Sequence, residues 1–205
     1  MPKLFYFPMA CSLGIHVLLE EIAAPFELEK VDFSTGAQYQ PPFATLNPKN
    51  KVPALLRDNG RLLTEFPAIT LYLGKHYADR GFWPVDVDGE AKALELLDYM
   101  IATVHMRGFT RIFRPYMFGR PEDEEEVKAA GVKQIVTGFE ILAQEFADGR
   151  DYILGPFSTV DGALFFLTYW ARQRAKIPMP PVLDAYLDRM LARDGVKRAL
   201  ATELA

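Results

Sequence analysis

The chain has 205 residues, 50% of them apolar and 24% charged, with a formal net charge of -4 at pH 7. That balance excludes wholesale disorder and allows a sizeable core, in one large domain or two small ones. It also leaves no basic patch to neutralise phosphates, which excludes a nucleic-acid partner. The single cysteine, Cys11, rules out an intrachain disulfide framework and suits a reducing compartment. The first residues lack the charged-then-apolar pattern of a secretory leader. The apolar run Gly162–Leu167 is too short to span a bilayer. The expectation is a cytoplasmic protein with no membrane partner.

Lys3 to Phe7 reads as a short apolar strand that Pro8 breaks. Cys11-Ser12-Leu13 then opens a helix whose apolar face is Leu13, Val17, Leu18 and Ile22. Cys11 falls at this strand-to-helix junction. The unpaired N–H groups and positive dipole end of a helix start favour a thiolate, whether the protein's own or that of a bound thiol. A packed structural cysteine is the competing reading. Pro25 stops the helix, and Phe26 to Val31 alternates apolar with charged residues as a half-buried strand does. A right-handed crossover makes the two strands parallel neighbours.

Ser34 to Pro42 shows no period and reads as a loop or irregular helix. Asn47 to Pro53 precedes the apolar run Ala54-Leu55-Leu56, and Asp58-Asn59-Gly60 is a hairpin turn that returns through Arg61-Leu62-Leu63. Val52-Pro53, just before a strand, is the place to suspect a cis peptide bond. Thr64 is expected to cap the following helix, with Glu65 complementing its dipole and Pro67 in the first turn. Ile69, Tyr72, Leu73 and Tyr77 form its apolar face. The order β-α-β, loop, hairpin, helix is a thioredoxin-like arrangement over 1–79, with a mixed four-stranded sheet.

Four motifs in the right order, Tyr6, Pro8-x-x-Cys11-Ser12-Leu13, Asn47-Pro48-Lys49-x-Lys51-Val52-Pro53 and Leu63-Thr64-Glu65, carry a likeness. On these residues the chain resembles the glutathione transferase superfamily, the bacterial beta class most closely, over nearly its whole length. The resemblance implies glutathione as co-substrate, a small hydrophobic electrophile, a detoxifying role, a homodimer and no metal. It implies a glutathione site of Tyr6, Ser12, Lys51, Val52, Pro53, Glu65 and Phe66. Val52 would pair with the tripeptide backbone and Glu65 with its ammonium. The N–H groups of the helix that Glu65 opens suit a carboxylate. Cys11 and the N–H of Ser12 would face the sulfur.

Two departures from the family pattern stand in this half. Phe66 occupies a position that is usually small, leaving only its N–H to donate and predicting a bulkier rim. A family lysine near position 36 is replaced by Thr35-Gly36-Ala37, so capture of the glycine carboxylate weakens or passes to Lys51. Lys49 and Lys51 have solvated loop charge as the alternative role. Asn50 stands for a frequent glycine and tolerates a left-handed turn.

Residues 80–86, around Gly81-Phe82-Trp83-Pro84, read as a linker, and 87–205 reads as an all-helical domain with a hydrophobic co-substrate pocket. Ala91 to Tyr116 has long apolar periodicity. Glu122 to Glu126 sit in the first turn of the next helix, whose buried face is Val132, Ile135, Phe139, Leu142 and Phe146. Ser158-Thr159-Val160-Asp161 matches a capping box with Asp for Glu, and its role is folding. His16, His76 and His105 show no metal-ligand spacing.

The resemblance aligns His105 with a histidine near the glutathione sulfur, making it a catalytic candidate with Cys11, while an asparagine seven residues earlier is replaced by Asp98. Phe109, Phe113, Tyr116 and Trp170 are the co-substrate pocket candidates, with Trp170 at a family position; aromatics at this spacing also build cores. The reading is a glutathione S-transferase. A glutathione-dependent reductive, lyase or isomerase enzyme, and a non-catalytic interaction protein on the same fold, remain open beside it.

Overall fold

The computed structural model describes residues 1–205. It divides into two compact units, Met1–Trp83 with Leu191–Ala205, and Pro84–Met190. The C-terminal segment, read from sequence as part of the helical domain, packs with the first unit. No helix is long and apolar enough to cross a membrane.

The first unit is built on a four-stranded sheet of order β2-β1-β3-β4. Strands β1 (Lys3–Tyr6) and β2 (Glu27–Lys30) run parallel, while β3 (Ala54–Leu56) is antiparallel to β1 and to β4 (Leu62–Thr64). The β-α-β opening and the hairpin are as the sequence predicts. Gly60 at φ 75° makes the hairpin turn, a conformation costly for a residue with a Cβ. Helix α1 (Ser12–Ile22) crosses between β1 and β2 and ends at Ala23, in the left-handed region, two residues before Pro25. The irregular stretch contains a 3-10 turn, Ala37–Tyr39, and a one-turn helix α2 (Phe43–Leu46) that no period in the sequence announces.

Side chains of β1 alternate between the sheet faces. Phe5 packs with Val31, Phe43, Val52 and Ala54, with Phe7 and Ala10 against them. Tyr6 points the other way, its ring 5.9 Å from that of His16 on α1. Helix α3 (Phe66–His76) follows β4. Helix α9 (Asp194–Glu203) lies against α1, tied by Arg198 to Glu20 and by Arg193 to Glu21.

In the second unit, α4 (Val87–Asp98) begins with the Asp86 carboxylate accepting from the Gly89 N–H at 2.8 Å. It runs into a segment of wide, π-type turns, Tyr99–Phe109, and a last turn, α5 (Thr110–Phe113). Helix α6 (Glu124–Gln144) packs on that segment. Its buried stripe is Gly131, Ile135, Gly138, Phe139 and Leu142, while Val132 is on the exposed side, a one-residue correction to the predicted face. A Cβ on Gly138 would come within 2.6 Å of Val104, so the close helix approach requires glycine there.

Helix α7 (Asp161–Tyr169) is wholly buried and continues in π-type turns, Trp170–Ala175; α8 (Pro181–Ala192) follows. The predicted capping box forms in altered form. Asp161 accepts from the Ser158 N–H at 2.8 Å and also from the Ser158 hydroxyl at 3.0 Å, so that hydroxyl serves the carboxylate instead of a helix N–H. The Ile153 N–H, at 3.2 Å, completes a fully buried carboxylate site.

Candidate active site

The turn between β1 and α1 is closed by Ser12. Its buried hydroxyl accepts from the Phe7 N–H at 3.3 Å and donates to the Phe7 carbonyl at 3.2 Å. Met9, inside the turn, adopts φ 60°, and its N–H donates to Glu203 Oε2 at 2.7 Å. Cys11 caps the helix in a helical conformation (φ -59°, ψ -22°), so α1 effectively begins at the cysteine. The thiol is partly accessible and donates to the Val52 carbonyl at 3.5 Å. Two motifs separated by 41 residues thus meet at one sulfur.

The Val52 loop is organised by Asn47, which is 1% exposed. Its side-chain amide donates to the Lys51 carbonyl at 2.8 Å, and its Oδ1 accepts from the Lys49 N–H at 3.2 Å. Asn50 takes the left-handed conformation, φ 56°, that its residue type tolerates. The Val52–Pro53 bond is cis, and so is Pro41–Pro42, which the sequence did not announce. The Val52 side chain is anchored in the core beneath the loop, while Lys51 is exposed.

Glu65 lies between β4 and α3 at φ 71° and ψ 125°, with its carboxylate exposed. Lys49 reaches it, Nζ to Oε1 at 2.7 Å, and donates to the Thr64 hydroxyl at 2.9 Å. Thr64 is therefore not the cap of α3: it belongs to β4, and Glu65 holds the cap position without a side-chain hydrogen bond. Phe66 is only 4% exposed, so its ring is buried in the fold and the bulkier rim does not arise. Tyr6 is placed with His16, on the sheet face opposite Val52. Burial, with the negative charge of Glu203 adding, pushes the Tyr6 phenol above its ordinary value and keeps it protonated.

In the second unit, Trp170 is the hub of an aromatic cluster. Its ring meets those of Phe166, His105, Phe113 and Phe109 at centroid distances of 5.0, 5.3, 5.3 and 5.5 Å, all close to edge-on. His105 also meets Phe166 edge-on at 5.3 Å. Phe109 is fully buried, stacked on Phe113 and against Phe139, and is a core residue instead of the expected pocket wall. Tyr116 sits in the 3-10 turn Pro115–Met117, 73% exposed and outside the cluster. Partly accessible Phe113 and His105 and nearly buried Trp170 form the cluster's outer part.

Glu203 was not singled out from sequence, although a signal existed. Val196, Ala199 and Glu203 share one buried stripe of α9, and a carboxylate on an apolar stripe needs a buried partner. That partner is His16, Nδ1 to Oε1 at 2.9 Å.

A family model described as glutathione S-transferase, N-terminal domain, matches residues 8–76, which contain Cys11, Val52 and Glu65. The chain is 36% identical over 210 aligned positions to glutathione S-transferase GstA of Escherichia coli O157:H7, covering 98% of each. Among solved structures it is similar to a bacterial beta class glutathione S-transferase of Sphingomonas chungbukensis (32% identity, TM-score 0.82, 98% of each chain). It is likewise similar to a sphingomonad glutathione S-transferase complexed with glutathione (33% identity, TM-score 0.80, 98% of each chain). With a sheet of this order, a Cys11–Val52 contact of this kind and relatives that span its length, the chain belongs to the glutathione S-transferase family.

Proposed function

We propose that this transferase joins the sulfur of glutathione to small hydrophobic electrophiles. The observation that carries the reading is the contact of the Cys11 thiol with the Val52 carbonyl. It sets a helix start, where a thiolate is stabilised, beside a backbone edge suited to an extended tripeptide. In this reading the Val52 backbone pairs with the glutathione cysteine, and Glu65 accepts from the γ-glutamyl ammonium. The first N–H groups of α3, including that of Phe66, receive a carboxylate. Lys51 attracts the glycine carboxylate in place of the absent lysine near position 36. Pro53 and the buried Tyr6 and Ser12 support the loop and turn that carry these contacts.

The thiolate attacks the electrophilic carbon. A carbon–sulfur bond forms, the bond to the leaving group breaks, and the leaving group departs with the electron pair. The thiol proton passes to solvent. A tenfold gain in thiolate fraction is worth about 1.4 kcal/mol, which makes thiol ionisation the main electrostatic task. The N–H of Ser12 and the start of α1 serve it directly. The aromatic cluster, through Phe113 and Trp170, receives the electrophile. A homodimer and a cytoplasmic location complete the proposal, and sedimentation equilibrium tests the former.

Retention on immobilised glutathione together with turnover of a chlorodinitrobenzene is the test. Glu65→Ala is expected to abolish retention. A native chain that is neither retained nor active would overturn the reading in favour of an interaction protein.

A further inference from the structure

The chain passes from β1 to α1 through the turn Phe7–Cys11. The Phe7 carbonyl closes that turn, accepting from the Ala10 N–H at 3.0 Å and from the Ser12 hydroxyl at 3.2 Å. Met9, in its middle, holds φ 60°, a left-handed conformation that is unfavourable for a residue with a Cβ. What holds Met9 there comes from α9: its N–H donates to Glu203 Oε2 at 2.7 Å. A hydrogen bond to a carboxylate is stronger than one between neutral groups, and stronger again where water is excluded. The Glu203 side chain is fully inaccessible, and its second oxygen is held by His16 Nδ1 at 2.9 Å. With both oxygens engaged, the carboxylate cannot leave Met9 without also disturbing His16. Turn, α1 and α9 all belong to one compact unit.

The ionisable groups packed around this carboxylate come from three elements. On α1, His16 faces it, with Nε2 4.0 Å from Glu20; Glu20 and Glu21 pair with Arg198 and Arg193, the first on α9 and the second at its start. On β1, the Tyr6 ring lies 5.9 Å from that of His16, and the charge of Glu203 reaches the Tyr6 phenol. Helix-start N–H groups stabilise a thiolate only where they point at it, and the effect falls off within the first turn. Glu203 therefore acts on a thiolate at this helix start in two opposing ways. Its negative charge disfavours ionisation by repulsion, and its hold on Met9 favours ionisation by fixing the direction in which α1 starts.

We propose that positioning is the larger effect: through the Met9 N–H, Glu203 fixes the start of α1 so that the Ser12 N–H faces the sulfur of bound glutathione. Glu203 is thus a positioning residue, acting through the turn and not on the reacting atoms. This rests on the reading of glutathione as co-substrate and adds to it a residue of α9.

The thiol pKa of glutathione bound to the full chain is measured from thiolate ultraviolet absorbance against pH. The S-methylglutathione complex serves as blank, which cancels Cys11 and the tyrosines. Glu203→Asp keeps the charge and falls one methylene short of Met9. It is expected to raise the bound thiol pKa by about one unit, a roughly tenfold loss of thiolate at neutral pH. Glu203→Gln loses the charge and keeps an oxygen that accepts from Met9, and is expected to stay within about 0.3 units of native. Repulsion alone predicts the reverse, a native value in Glu203→Asp and a lowered one in Glu203→Gln. A lowered value in Glu203→Gln would overturn the proposal even if Glu203→Asp does not fold.

His16→Gln, whose amide can still donate to Oε1, controls for general loosening. It is expected to keep the native thiol pKa whatever it loses in urea unfolding midpoint. A rise equal to that of Glu203→Asp would reduce the network to a structural role and overturn the proposal. If native glutathione in the complex ionises no more readily than free glutathione, the thiol-ionisation reading falls and this proposal with it. A native lowering that survives in Glu203→Asp would overturn this proposal alone.

Discussion

His16 and Glu203 lie 187 residues apart in sequence and 2.9 Å apart in space, with both side chains fully inaccessible. The same carboxylate holds the Met9 N–H, so one residue of α9 fixes both α1 and the turn that leads to Cys11. Removing one partner of a buried pair leaves the other desolvated and uncompensated. Glu203→Ala is therefore expected to destabilise the chain by about 3–5 kcal/mol. Glu203→Gln, which can still accept from Met9, should lose clearly less. Urea unfolding midpoints of the two variants, compared with native, check the order, and equal losses would show that the Met9 bond contributes nothing.

Cys11 donates to Val52, and its neighbour Ser12 places an N–H at the helix start. If the helix start ionises the glutathione thiol, the cysteine sulfur is not needed for turnover. Cys11→Ala is expected to retain chlorodinitrobenzene conjugation within about tenfold of native kcat/KM. A loss above about a thousandfold would make Cys11 the essential group.

Lys49 and Glu65 form an exposed pair, a kind worth about 0–1 kcal/mol. A glutathione ammonium must compete with that lysine for the carboxylate. Lys49→Met is expected to tighten glutathione binding by up to about fivefold with no measurable change in stability. Titration calorimetry at low and high salt measures it, and weaker binding would place Lys49 among the groups that attract the tripeptide carboxylates.

Burial pushes the Asp161 carboxyl from 3.8 up to about 6, against the opposing pull of donors from Ser158 and Ile153. Between these two values the folded chain binds a proton that the unfolded chain has released. The contribution of this group is therefore fully present below about pH 4 and is lost as pH rises through 6. Asp161→Asn cannot titrate. Relative to that variant, the native chain should be more stable at pH 4.5 than at pH 7, by unfolding midpoints at each pH; a constant difference would contradict the shift.

Gly138 faces Val104 with only 2.6 Å available to a Cβ, and the β-branched valine is stiff about its first torsion. Gly138→Ala should cost about 1–3 kcal/mol by overpacking. Val104→Ala in the same chain should relieve most of that cost, and strict additivity of the two substitutions in thermal unfolding would contradict the close contact.

Much of the first unit is legible in its residues because short-range chemistry writes it. Alternation marks β2, Asp58-Asn59-Gly60 makes the hairpin, and helical spacing marks the buried face of α1; on α3 it finds Ile69 and Leu73, while Tyr72 is half-buried and Tyr77 lies past the helix end. Asn50 is a residue type that tolerates the left-handed region it adopts, and Val52–Pro53 is cis at the position where the sequence raised the suspicion. The same local reasoning failed at Thr64, because a cap was inferred from residue type while strand pairing with Ala54 had already claimed the residue. It also left open which aromatics of the second unit face inward, since periodicity gives a face and not its depth.

The sequence by itself determined the order of the four strands and of α1 and α3 in the first unit, because turn chemistry and apolar periodicity act over a few residues. Only the tertiary structure decided that Glu203 reaches back to Met9 and His16, that Lys49 reaches Glu65, that Phe66 and Phe109 are buried, and that Arg174 lies on Phe113 and Trp170. Each of these joins groups whose proximity comes from packing, and a buried charge or stacked cation is stable only where that packing delivers its partner.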